Sequence, residues 1–301
     1  MIPILVTVFA GVLGLAFGSF LNVCAARWPQ EESIVKRRSH CRHCGRTLAW
    51  WENVPLVSWL ALGGRCRTCK AWIGWRYPLV ELAVGLLWAY SAWQIFSAAP
   101  ELKLGIFSYD ASLALAKGIA RTIFLWLLAA LAVLDAENFW LPDRLTLPGI
   151  ALGLALAVTH ATLDTFLQSS GSFEAWKHFV AIDMIRFWFI GAVFSAGAIL
   201  VIRWIYQMIR DQEGIGMGDV KLMAMLGGWI GFKLAIASFA IAVLLGAAVA
   251  LILLTVPSER AKKGKLSLKK LPFGTFLSVG GIVSGLWGKF VIAAYLRWSG
   301  F

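Results

Sequence analysis

Charge is scarce in this sequence. Asp, Glu, Lys and Arg make up 15% of 301 residues, with only 16 acids and four histidines among them. A soluble domain carries about 25% charged residues, so a chain that faces water throughout is excluded. There is no GxSxG, no HExxH and no nucleotide-binding P-loop, which removes the familiar serine-hydrolase, zinc-peptidase and NTP-dependent readings. What is abundant is apolar: 59% hydrophobic residues, 16 Trp, 19 Phe and a mean hydropathy of +0.75. That is the composition of a polytopic membrane protein.

The positive charge of +12 would suit nucleic acid if it formed a patch on a soluble surface. It lies instead in loops between apolar runs, where membrane orientation accounts for it; the bilayer, not nucleic acid, is the expected partner. Residues 2 to 23 are uncharged and are followed by Arg27, the reverse of a signal peptide, so this run is expected to remain as a first span with its N-terminus outside. Further runs at 78–97, 119–134, 148–166, 184–206, 219–256 (divided near Gly231) and 273–296 bring the expectation to eight spans. The loops alternate accordingly. Residues 27–76 hold ten Lys or Arg against Glu31, Glu32 and Glu52, and 257–270 hold six against Glu259, whereas 98–117 and 167–183 are nearly neutral. The basic loops are expected in the cytoplasm and both termini outside. The third run is short, so its helix should continue through Asp135. No internal repeat is apparent, and the many Gly and Ala of the spans are read as helix packing.

Within the first basic loop stand Cys41-Arg42-His43-Cys44 and Cys66-Arg67-Thr68-Cys69. Each CxxC presents two thiolates from one tight turn, and two such turns complete a tetrahedral zinc shell, with Gly45, Gly63 and Gly64 easing the chain around. Redox pairs are the rival, but a cytoplasmic loop is reducing. Four thiolates close the coordination sphere, which makes the zinc structural and leaves His40 and His43 as bystanders. Cys24 reads as a buried thiol.

The scarce acids carry the chemistry. Asp135 closes the third run and Asp219 opens the sixth, within Gly216-Met217-Gly218-Asp219-Val220-Lys221, both toward the cytoplasm. A carboxylate at the hydrocarbon boundary is costly unless it serves protein, water or a ligand. Two that meet cannot both ionise comfortably, and such a pair supplies the acid and base of peptide hydrolysis. Gly216 and Gly218 allow close approach of an extended peptide. Asp143 caps or orients the turn after Pro142, and Lys221 either pairs with a carboxylate or anchors charge at the membrane face.

These motifs resemble the type IV prepilin leader peptidase and N-methyltransferase family. The resemblance rests on Gly18-Ser19-Phe20-Leu21-Asn22-Val23, the two CxxC pairs enclosing Glu52-Asn53-Val54-Pro55, Arg76-Tyr77-Pro78 through Glu81, Leu141-Pro142-Asp143-Arg144 and the Gly-x-Gly-Asp motif at Gly216 to Asp219. It implies an all-α polytopic protein of a bacterial inner membrane, with a first helix (1–26), a cytoplasmic zinc-ribbon-like loop domain (27–77) and a peptidase core of about seven helices (78–301). It implies that Asp135 and Asp219 are the catalytic pair. The substrates it implies are prepilins or type II secretion pseudopilins, cut between a basic leader and a hydrophobic helix. Many such enzymes then methylate the new N-terminus with S-adenosylmethionine, for which Glu52, Asn53, Arg76 and Glu81 are candidates. Glu137 departs from the family pattern, where many relatives have Asp. A non-enzymatic assembly factor docking a partner through the zinc loop would explain the cysteines but not the aspartates, and a proton-coupled transporter would need acids through the bilayer.

Overall fold

A computed structural model describes residues 2–36, 38–98, 102, 109–168, 180–212, 214–255 and 271–299. The basic 257–270 loop, part of the near-neutral loop at 98–117 and most of that at 167–183 lie outside the described residues. Six described helices are long and apolar enough to cross a membrane: Pro3–Gln30, Arg76–Ser97, Ala111–Asn138, Asp183–Arg210, Phe232–Thr255 and Phe273–Arg297. The expectation of eight is therefore corrected to six candidate spans among the described residues. Residues 217–230 form a helix of 14 residues, about 21 Å long at ~1.5 Å per residue, and a span needs about 20 residues. The 148–166 run lies in a helix whose second half holds Thr159, His160, Thr162, Asp164 and Thr165, which dilute its hydropathy.

The chain divides into two compact units, Met1–Trp126 and Leu127–Phe301. In the first, α1 (Ile2–Arg27) lies along α3 (Arg76–Ala98), with the cysteine loop and the short α2 (Val57–Ala61) between them in sequence. The glycines explain how closely the two long helices approach. A Cβ on Gly14 would lie 2.9 Å from Gly85 Cα, and one on Gly18 would lie 2.7 Å from Glu81 Cα. Small residues four apart thus form a flat strip on which the partner backbone rests, the usual way helices gain contact where lipid gives no hydrophobic drive. Asn22 ties the pair further by donating from Nδ2 to Tyr77 O at 3.0 Å. The unit ends in the first half of α4 (Tyr109–Asn138), where Arg121 donates to Ser91 Oγ and to Ser91 O. As expected, α4 continues past Asp135.

The second unit comprises the rest of α4, α5 (Asp143–Gln168), α6 (Val180–Arg210), α7 (Met217–Ile230), α8 (Phe232–Thr255) and α9 (Phe273–Ser299). The short α7 touches α5, α6, α8 and α9, and its Leu222, Met223, Met225 and Leu226 are fully buried. It ends at Gly231, whose φ of 81° separates it from α8. Its closest approach is to α6, where a Cβ on Gly191 would stand 2.1 Å from Gly227 O. By contrast α8 exposes Leu244, Leu251 and Ile252, a surface suited to acyl chains rather than water.

Candidate functional site

In the cysteine loop, each CxxC closes a turn of the same design. Cys41 N donates to Arg46 O and Gly45 N to Cys41 O; twenty-five residues later Cys66 N donates to Ala71 O and Lys70 N to Cys66 O. Isolated bridges join His40 to Thr47 and Arg65 to Trp72 at the same offset, and Gly45 and Lys70 take the left-handed conformation at equivalent places (φ 71° and 56°). The loop is thus a local repeat, legible in the recurring Cys-Arg-x-Cys, and corrects the expectation that the chain has no internal repeat. The four Sγ atoms lie within 4.8 Å of one another, and those of Cys41 and Cys69 are 3.8 Å apart. Four sulfurs at ~2.3 Å from a tetrahedral ion would be about 3.8 Å apart, so the cluster fits a metal of that size. Backbone N–H groups of Cys69 and Thr68 hold the Cys66 thiol down, to about 6, which favours the thiolate a metal needs.

The loop's other polar groups separate into two kinds. Glu52 accepts from Arg46 Nη2 at 2.6 Å and from Ala49 N–H at 2.7 Å, and the Arg46 contact keeps its carboxyl below the usual range. It is thereby engaged in holding the loop. Glu81, on α3, accepts from Leu56 N–H at 2.9 Å. Arg76 stands over the Tyr77 ring at 4.8 Å, and Asn53 lines a cavity together with Glu52 and Glu81. Trp59, Trp72 and Trp75 pack as an aromatic cluster with centroids 4.4 to 5.9 Å apart.

In the second unit the two aspartates come from separate helices. Asp135 lies one turn before the end of α4 and Asp219 in the first turn of α7; they are 6% and 8% exposed. Asp219 Oδ2 accepts from Gly216 N–H at 3.3 Å while Asp219 N donates to Gly216 O at 3.2 Å. This reciprocal bond makes Asp219 the acidic partner of the helix start, where N–H groups favour negative charge. Outside the six candidate spans, Asp219 has its carboxyl pushed up to about 7, first by burial and then by the charge of Asp135. The second cause means that the charge of Asp135 is felt at Asp219.

A third segment, which sequence reading did not single out, holds Asp135. At the start of α9, Thr275 donates to Asp135 Oδ2 from its backbone N–H at 2.6 Å, and its hydroxyl lies 3.1 Å from both Asp135 Oδ2 and Ala132 O, which share its one proton. Gly274 leaves room for this clamp, since a Cβ there would lie 3.0 Å from Asp135 Cγ and 2.8 Å from Leu141 Cδ1. Leu141 also fills the space a Gly218 side chain would need, at 2.9 Å. Gly218 is therefore small for packing, whereas a Cβ on Gly216 would meet nothing nearer than Asp219 Oδ2 at 3.5 Å. Leu141, between α4 and α5, thus touches the starts of both α7 and α9. Of the two roles open to Lys221, the structure shows pairing: its Nζ lies 2.5 Å from Asp143 Oδ1, tying α7 to the start of α5. The only signal for the α9 clamp was Pro272-Phe273-Gly274-Thr275, a helix start on an apolar run.

Known proteins resemble the chain along nearly its whole length. The profile of the bacterial peptidase A24 N-terminal domain matches residues 12–95, and that of the type IV leader peptidase family matches 122–251. The prepilin leader peptidase/N-methyltransferase of Pseudomonas aeruginosa is 34% identical over 313 residues, covering 96% of this chain and 93% of that protein. The proteins of the same name from Stutzerimonas stutzeri and Aeromonas hydrophila are 33% and 30% identical, covering 99% and 95% of this chain and 96% and 92% of their own lengths. No solved structure matches. With both profiles on the residues that build the cysteine loop and the paired aspartates, and with relatives matched nearly end to end, the chain belongs to the type IV prepilin leader peptidase family.

Proposed function

We propose that this protein is an aspartyl peptidase of a bacterial inner membrane, with its termini on the periplasmic side. It removes the basic leader from prepilins or pseudopilins at the cytoplasmic face and then N-methylates the exposed residue. The observation that carries the peptidase reading is the pair of buried carboxylates, Asp135 and Asp219, brought from separate helices to within electrostatic reach. Their hydrogen bonds favour a division of roles. Asp135 Oδ2 takes the Thr275 N–H and a share of its hydroxyl proton, which suits the ionised partner; Asp219, pushed up to about 7 and holding one longer bond from Gly216, suits the protonated one. Asp135 then draws a proton from the attacking water while Asp219 donates its own to the developing oxyanion; on collapse the proton held by Asp135 passes to the leaving amine and Asp219 recovers one from the gem-diol hydroxyl, which restores the pair.

Cys41, Cys44, Cys66 and Cys69 hold a Zn²⁺ whose role is to fold the loop, because four thiolates leave no open position for a reacting group. S-adenosylmethionine, when bound, supplies the methyl group for the second activity. The test is cleavage of a candidate prepilin by purified protein in lipid, compared with Asp135→Ala and Asp219→Ala. Loss of processing in both is expected; wild-type rates in both would overturn the dyad and leave the assembly-factor reading in its place.

A further inference from the structure

Residues 53–64 of the cysteine loop carry no charge, although 27–76 as a whole holds ten Lys or Arg against three Glu. They include α2, and α2 turns apolar side chains outward. Val57 and Leu60 are 63% and 70% exposed, while Trp59 between them packs back on the loop, its indole N–H donating to Ile73 O at 3.0 Å.

The exposed face does not end with α2. Trp59 lies against Trp75 and Trp72, with ring centroids 4.4 and 5.7 Å away, and these two are 60% and 53% exposed. Leu79 N–H donates to Trp75 O at 3.1 Å, which sets Trp75 one turn ahead of Leu79 at the head of α3. Leu82 and Leu86 follow at helical spacing on the same face, and all three leucines are exposed. They belong to the candidate span Arg76–Ser97, where an exposed leucine meets acyl chains. The patch on the loop thus continues a lipid-facing stripe past the end of the span, and tryptophans stand at the junction. Indoles favour that level of a bilayer, where one side of the ring is apolar and the other wet.

Charge on this part of the loop is positive. Arg65 and Lys70 flank the second Cys turn and are exposed, and Arg65 is bridged through its backbone to Trp72. Arg67, between them, stands over the Trp51 ring at 5.4 Å and within the field of Glu52. Glu52 itself is buried against Arg46, and Glu31 and Glu32 lie at the α1 end of the loop. An apolar face with cations beside it matches a surface of anionic phosphates over acyl chains.

We propose that α2 and the tryptophan cluster form an interfacial anchor, with Val57, Leu60 and the indoles in the headgroup–acyl boundary and Arg65 and Lys70 on the phosphates of anionic phospholipids. Five residues are too few to hold a helix at the interface alone; the ring contacts with Trp75 fix α2 to the head of the span. The metal-folded turns therefore lie against the bilayer beside α3. This placement requires neither of the activities proposed above.

The experiment puts the photoreactive residue p-benzoylphenylalanine in place of Leu60, or of Leu86 as the lipid-facing reference. Full-length, metal-loaded protein is irradiated in nanodiscs of mixed phosphatidylglycerol and phosphatidylcholine, and adducts are identified by mass spectrometry; wild-type metal content shows that the loop is folded. Both sites are expected to yield phospholipid adducts, with phosphatidylglycerol enriched at Leu60 by at least about twofold over its share of the disc. Arg65→Gln combined with Lys70→Gln should abolish that enrichment and keep the adducts. No lipid adduct at Leu60 while Leu86 gives one would overturn the anchor, as would adducts confined to the protein's own chain. Transfer of the Leu60 adduct from lipid to an added prepilin would overturn it too, making the face a substrate dock. Adducts of disc-average composition would overturn the role given to Arg65 and Lys70.

Discussion

Replacing Gly191 by Ala should disable the peptidase without touching a catalytic group. The added Cβ would stand 2.1 Å from Gly227 O and 2.9 Å from Gly227 C, and both are backbone atoms of α7 that cannot rotate aside. Ordinary contact begins at 3.4 Å, so α6 and α7 must separate by about 1.3 Å at this point. Overpacking of this kind costs about 1–3 kcal/mol of stability. Its larger effect is on rate, because α7 carries Asp219 two turns upstream of Gly227, and a ~1 Å misplacement of a catalytic group can cost about 100-fold. Gly197, on the same helix, is the control: a Cβ there meets nothing within 4 Å, and Ala should gain up to ~1 kcal/mol of helix propensity. Initial rates of leader removal and thermal unfolding, measured on both variants in the same detergent, make the comparison. A Gly191→Ala protein with wild-type rate and melting temperature would refute the claim that this backbone contact positions the site.

Thr275→Val keeps the backbone N–H on Asp135 but removes the hydroxyl bond, and should lower kcat roughly tenfold, as expected for a hydrogen bond to a charged group; Thr275→Ser should restore it, and an equal loss in Ser would point to packing instead. A carboxyl raised from 3.8 to about 7 stays protonated through mildly acidic pH and ionises as pH rises through that value. With Asp219 as proton donor, kcat should fall above about pH 7 as the upper step of the coupled pair is passed; a rate flat to pH ~9 would contradict the assignment of roles. Cys41→Ser and Cys66→Ser should each lose bound zinc by elemental analysis and lower the protease resistance of the 27–77 loop, and unchanged stoichiometry would argue against a four-thiolate centre.

Length, hydropathy and the Cys-Arg-x-Cys repeats determined a great deal by themselves. A stretch of apolar residues has few homes other than lipid, and two CxxC turns have few partners other than a metal or each other. The Gly216-to-Asp219 motif and Asp135 stood out for the same reason: acids are too rare here to be surface decoration. What the sequence could not decide depends on contacts across long separations. Thr275 reaches Asp135 over 140 residues and Lys221 reaches Asp143 over 78, and no periodicity announces either. The run from 219 to 256 reads as two spans because hydropathy reports apolarity, and a short helix enclosed by four neighbours is as apolar as one facing lipid. Whether Glu52 and Glu81 were equivalent candidates was likewise a tertiary matter. Arg46 compensates the first; the second, on α3, takes the Leu56 N–H and has no paired cation among the described residues.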